Sequence, residues 1–103
     1  MIKLTNDLVK NFVYVGLERK TSGWLKCLEF EVSKKLLKSL FNGKYEVGYL
    51  DIRYSTKEPK YSGAKFVLEC YKALGDEKFD KIQVDVDLDL YADLLGKVVG
   101  KNY

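Results

Sequence analysis

The hydrophobic and polar positions of this chain alternate with a period of two over much of its length, the pattern of half-buried β-strands. From Tyr45 to Tyr54, one face carries Gly48, Leu50, Ile52 and Tyr54, and the other carries Tyr45, Val47, Tyr49, Asp51 and Arg53. A second arm repeats the pattern. Ala64, Phe66, Leu68 and Cys70 share an apolar face, and Lys65, Val67, Glu69 and Tyr71 share a mixed one. Between the arms lies STKEPKYSG, which holds the only proline, Pro59, and Gly63. Such residues interrupt a strand, so Lys44 to Leu74 is predicted to form a long hairpin with a projecting tip, a common place for binding residues. Phe12 to Lys20 and Trp24 to Val32 form a shorter hairpin about Thr21, Ser22 and Gly23. Phe79 to Leu90 is the sharpest strand pattern. There Ile82, Val84, Val86, Leu88 and Leu90 alternate with Lys81, Gln83, Asp85, Asp87 and Asp89.

Two stretches switch to the helical period. In Ser33 to Asn42, Leu36, Leu37, Leu40 and Phe41 make one apolar stripe, with Ser33 as N-cap and Gly43 as stop. Lys34, Lys35 and Lys38 lie off the stripe, and those at the helix start oppose the macrodipole at a cost of ~0.3–1 kcal/mol. A last helix, capped by Asp87 or Asp89, takes Leu90, Tyr91, Leu94, Leu95, Val98 and Val99 as its apolar side and stops at Gly100. Met1 to Asn11 reads either as a short helix capped by Thr5 or Asn6, or as a lead into the first strand. The order is thus β-β-α-β-β-β-α in a single domain, 1–103. The fold class is α+β: a mainly antiparallel sheet of about five strands with two short helices, lying open or curled into an OB-like barrel.

Composition narrows the picture. With 103 residues and 47% hydrophobic content, the chain is long and apolar enough to fold around a core. No apolar run reaches the ~20 residues that span a bilayer, and no signal-peptide pattern is present at the start. The two cysteines, Cys27 and Cys70, are too few for a disulfide scaffold, which makes a reduced, cytoplasmic setting the expectation. The net charge of +3 is uneven: residues 1–72 carry +6 and residues 73–103 carry −3.

Candidate chemistry is sparse. Histidine is absent, and with it the commonest general base and metal ligand. Asp85, Asp87 and Asp89 match the start of an EF-hand loop, but Leu90 stands where glycine is required and Gly96 where the bidentate glutamate is required. A solvated strand face is the simpler reading of these acids. No CxxC pair, glycine-rich phosphate loop or nucleophile-base set occurs, so neither enzymatic activity, metal nor cofactor is expected.

What remains is aromatic and basic side chains together. Aromatics make up 14% of the chain, with 8 tyrosines. Tyr49 and Tyr71 share a hairpin face with Arg53 and Lys65; Tyr61 lies at the tip near Lys57 and Lys60; Trp24 lies near Arg19 and Lys20. Rings that stack on bases and cations that follow phosphates bind single-stranded nucleic acid. Tyrosine is also simply a good strand former. The run FNGKYEVGYLDIRYSTKEPKYSGAKFVLECYKAL, with Gly43, Tyr45 and Val47 in a G-x-Y-x-V opening, resembles the closing hairpin of small phage helix-destabilising, single-stranded-DNA-binding proteins. That resemblance covers about a third of the chain and implies an OB-like barrel, usually dimeric, that coats single strands. Two functions follow as expectations. The first is a phage or mobile-element protein that binds single-stranded DNA or RNA, with Trp24, Tyr49, Tyr61 and Tyr71 stacking and Arg19, Lys20, Arg53, Lys57, Lys60 and Lys65 on phosphates. The second is a protein-binding module or small inhibitor, such as a phage anti-defence protein, acting through a sheet edge or an acidic face. Apolar residues on both faces of several strands also point to a homodimer. A nucleic-acid binder needs its rings and cations on one surface with the acids turned away; an interaction module does not.

Overall fold

The computed structural model describes residues 1–18, 24–55 and 64–101. Its strands are β1 (Ile2–Leu4), β2 (Phe12–Glu18), β3 (Trp24–Val32), β4 (Val47–Ser55), β5 (Ala64–Tyr71) and β6 (Phe79–Val86). Its helices are a 3₁₀ helix (Asn6–Asn11), α1 (Lys34–Phe41) and α2 (Leu88–Lys101). The strands form one six-stranded sheet in the order β1-β6-β5-β4-β3-β2. β2 to β6 pair antiparallel with their sequence neighbours, β3 with β4 across the α1 connection and the others as hairpins. β1 pairs parallel with β6, Ile2 opposite Val84 and Leu4 opposite Val86.

The sheet is open, the first of the two arrangements expected, with β1 and β2 as its two edges, so no barrel closes. Two expectations need correction. The sheet has six strands and is mixed, because the Met1–Asn11 segment contributes both a parallel strand and a short helix. The strand expected to run on to Leu90 stops at Val86, because Asp87 turns its carboxylate onto the Leu90 N–H (2.7 Å) and caps α2. Asp85, Asp87 and Asp89 therefore do not share a strand face: Asp87 is a cap and Asp89 lies in the first helical turn.

All the helices cover one face of the sheet. Beneath them Phe12, Phe30, Leu50, Ile52 and Leu68 are fully buried against Leu37 of α1 and Leu90 and Leu94 of α2. Tyr91 of α2 stands edge-on to Phe66, with ring centroids 5.4 Å apart. α1 approaches β4 at Gly48, where a Cβ would lie 2.7 Å from a methyl carbon of Leu37. Only a residue without a side chain leaves room for that leucine.

The ends of α1 follow its sequence. Ser33 Oγ accepts from the Leu36 N–H (3.2 Å) and donates to Asn11 Oδ1 (2.7 Å). One hydroxyl thus caps the helix and ties it to the 3₁₀ segment. At the other end Asn42 (φ 52°) and Gly43 (φ 81°) take the left-handed conformation that ends a helix. Ser33→Ala is expected to cost about 1–2 kcal/mol, since both bonds go at once. A urea midpoint within error of the parent would show that neither bond contributes. Tyr45, expected on the same face as Tyr49, instead precedes β4 and is buried; its ring lies edge-on to Phe41 and its hydroxyl donates to Asp80.

Candidate functional site

The other face of the sheet carries no helix among the described residues. Strand alternation sends Val13, Glu29, Glu31, Tyr49, Asp51 and Arg53 there from β2 to β4, and Lys65, Val67, Glu69, Tyr71, Phe79, Lys81, Gln83 and Asp85 from β5 and β6. Register arranges them in rows. Phe79 lies opposite Tyr71 and Tyr71 opposite Val47; in the next row Lys81, Glu69, Tyr49, Glu31 and Val13 follow one another. One diagonal contact between rows and one direct cross-strand contact bring the rings together. Tyr49 and Tyr71 meet edge-to-face at 6.2 Å between centroids, and Tyr71 and Phe79 lie tilted at 5.1 Å. The result is a strip of three rings across three strands, with Lys81 Nζ 5.3 Å from the Phe79 ring centre.

Open apolar space adjoins this strip. Leu74, in the β5–β6 turn, is 84% exposed, and Val13 is 53% exposed. A cleft of about 450 Å³ is lined in part by Val13, Val47, Tyr49 and Leu74, and a smaller one of about 210 Å³ by Val47, Tyr49, Tyr71 and Leu74. Together they make an apolar groove along the end of the open face.

Beside the rings sits an ionic cluster. Asp51, at the centre of the sheet, is 0% exposed although it lies on the uncovered face, because taller neighbours close over it. Arg53 Nη2 donates to Asp51 Oδ2 at 2.9 Å and to Glu69 Oε1 at 2.5 Å. The Tyr71 hydroxyl donates to Glu69 Oε2 at 3.3 Å, and Glu29 lies directly opposite Asp51 on β3. Burial and the Glu69 carboxylate push the Asp51 carboxyl up to about 7, against the opposing pull of Arg53. Burial and the nearby negative charges, Glu69 first, push the Tyr71 hydroxyl up to about 12. Burial also raises the Cys70 thiol to about 11, so this free cysteine stays protonated and is a poor nucleophile at neutral pH.

Of the residues singled out from sequence, Tyr49, Arg53, Lys65 and Tyr71 do share one face. Arg53, expected on phosphate, is instead held between two carboxylates. Trp24 begins β3 opposite Ser55, and its side chain lies outside the described residues. Arg19, Lys20, Lys57, Lys60 and Tyr61 also lie outside them. The residues missed are Phe79, Asp51 and Glu69. Phe79 opens its strand opposite Tyr71, a pairing that follows from register rather than local pattern.

Among the described residues, no group of three or more His, Cys, Asp or Glu side chains is placed to hold a metal ion, and no helix is long and apolar enough to cross a membrane. No protein-family model, curated protein sequence or solved structure matches this chain.

Proposed function

We propose that this chain is a protein-binding module whose open sheet face receives a segment carrying basic and apolar side chains. One observation carries the reading: the ring strip of Tyr49, Tyr71 and Phe79 lies on a face where Glu29, Glu31, Asp51, Glu69 and Asp85 outnumber Lys3, Arg53, Lys65 and Lys81, although the chain as a whole is at +3. The half-buried rings of Tyr49 and Tyr71, the exposed ring of Phe79 and an adjoining apolar groove supply contact area, and the surplus of carboxylates selects a positive partner. The face suits this role better than the β2 edge, where the register shift between Tyr14 and Gly16 distorts the strand and blunts further pairing.

The second reading is single-stranded nucleic-acid binding, of the phage or mobile-element kind. In its favour, a cleft of about 420 Å³ beside Phe79 is lined by Lys44, Lys72 and Lys78, next to the stacking rings. Against it, Asp76 and Asp80 line the same cleft, and the acids on the ring-bearing face repel phosphate.

The two separate in a titration with acetyl-(Arg-Leu)4-amide and with an oligothymidine, each at low and at high salt. The first reading expects the peptide to bind and the oligonucleotide not to, with Tyr49→Ala weakening the peptide about tenfold or more. Oligothymidine binding that collapses with salt, with no peptide binding, would overturn it in favour of the second. Sedimentation of the free chain shows whether a second copy already occupies the face as a homodimer.

A further inference from the structure

The ionic cluster lies inside the proposed binding face without making an obvious contact surface of its own. Asp51 Oδ1 is buried and has no hydrogen-bond donor among the described residues. The other oxygen, Oδ2, shares the Arg53 Nη2 with Glu69 Oε1. Two carboxyl groups gathered on one nitrogen lie close together, and Asp51 and Glu69 are within hydrogen-bonding reach of each other. An ionised carboxylate only accepts, so neither can satisfy the other while both are charged. A single proton resolves both problems. It supplies a donor between the two carboxyl groups and removes one of two like charges.

We infer that Asp51 and Glu69 hold one proton between them in the free protein, and that losing it readies the open face for a basic partner. The inference rests on the protein-binding reading above and assigns its regulation. The charged and titratable groups around the Asp51–Glu69 pair are Glu29 on β3, Tyr49 and Arg53 on β4, Lys65 and Tyr71 on β5, and Lys81, opposite Glu69, on β6. With the proton in place, Arg53, bonded to both carboxyls, balances the one remaining charge of the pair, while the exposed Lys65 and Lys81 and the carboxylate of Glu29 lie around it. When the proton leaves to solvent, the pair carries a second negative charge that Arg53 no longer balances. That charge sits beside Tyr71, whose hydroxyl is bonded to Glu69, and so at the middle of the ring strip. A partner's guanidinium or ammonium group then adds a counter-charge beside the pair, and its arrival favours release of the proton. Binding and ionisation are linked in both directions.

The test uses the intact chain. Carboxyl carbon resonances of Asp51 and Glu69 are followed by NMR against pH, and affinity for acetyl-(Arg-Leu)4-amide is measured at about pH 6 and about pH 8. The peptide's own charge does not change in that range. The inference expects the pair to lose its protons in two coupled steps, the second near neutrality. It also expects peptide affinity about fivefold higher at the upper pH in the parent, and pH-independent in Asp51→Asn and in Glu69→Gln, either of which serves if the other fails to fold. Titration of both carboxyls below about pH 5 would overturn it, as would peptide binding equally tight at both pH values. If the coupled titration is seen and the peptide binds at neither pH, the protein-binding reading has failed, and the gate with it.

Discussion

Asp51→Asn is expected to stabilise the protein by clearly more at about pH 8 than at about pH 5. The cause is the buried carboxyl, which burial and Glu69 raise from 3.8 to about 7 in the folded chain. In the unfolded chain it titrates near the ordinary aspartate value. Between those two values the folded state holds a proton that the unfolded state has lost, so stability falls as pH rises. The contribution is fully present below the unfolded value and is lost as pH climbs through the folded one. A shift of this size corresponds to at most about 4 kcal/mol, and the pull of Arg53 and the sharing with Glu69 make roughly 2–4 kcal/mol the working range. Asparagine keeps the shape, cannot ionise and supplies a donor. Urea unfolding of both proteins at the two pH values reads the difference directly. If the parent is no less stable at about pH 8 relative to the variant than at about pH 5, the carboxyl is not held neutral and the account of the cluster fails.

Gly48→Val is expected to destabilise the fold by about 3 kcal/mol, at any pH. Added carbon atoms at position 48 would run into Leu37, whose methyl carbon already lies 2.7 Å from where a Cβ would stand. Leu37 is a fully buried residue of α1, so either α1 lifts from β4 or the leucine changes rotamer within a packed core. The pair offers a sharper check than the single change. Leu37→Ala alone is expected to cost about 2–5 kcal/mol, through the cavity it leaves. The double substitution should cost clearly less than the sum, because the valine fills the space the leucine vacates. Additive costs, or a Gly48→Val protein as stable as the parent, would mean that α1 does not seat on β4 as described.

Sequence pattern revealed most of the framework, for physical reasons that differ by element. The arms of the long hairpin, β3 and β6 were legible because one buried face forces strict alternation, as in Leu50 and Ile52 against Tyr49 and Asp51. α1 was legible because Ser33 and Gly43 bracket a stripe of leucines. β1 was not: three residues, Ile2–Leu4, carry too little periodicity, and their partner lies 82 residues away. The end of β6 was misread because Val86, Asp87, Leu88 and Asp89 continue the alternation, while the Asp87 cap bond overrides it locally. The candidate face was half legible. Alternation places Tyr49, Arg53, Lys65 and Tyr71 together, but it says nothing about diagonal contacts or about which polar residue is overshadowed by its neighbours. That is why Arg53 could be assigned to a phosphate when two carboxylates hold it, and why Asp51 drew no attention.

The parallel pairing of β1 with β6 bears on how the chain acquires its shape during synthesis. β2 to β5 each pair with the next strand in the chain, through a hairpin or through α1, and can assemble as they leave the ribosome. Ile2 and Leu4 are made before any of them, yet their partners Val84 and Val86 are made after all of them. The earliest apolar residues of the described chain therefore wait longest, and the main-chain bond from the Asp87 N–H to the Leu4 carbonyl (3.0 Å) forms only as α2 begins to wind. Docking of β1 closes the largest loop in the fold and brings the slow entropic step to the end. Until then β6 is an uncovered strand, which makes the nascent chain most vulnerable to misassembly in the interval between translation of Val86 and the return of Ile2.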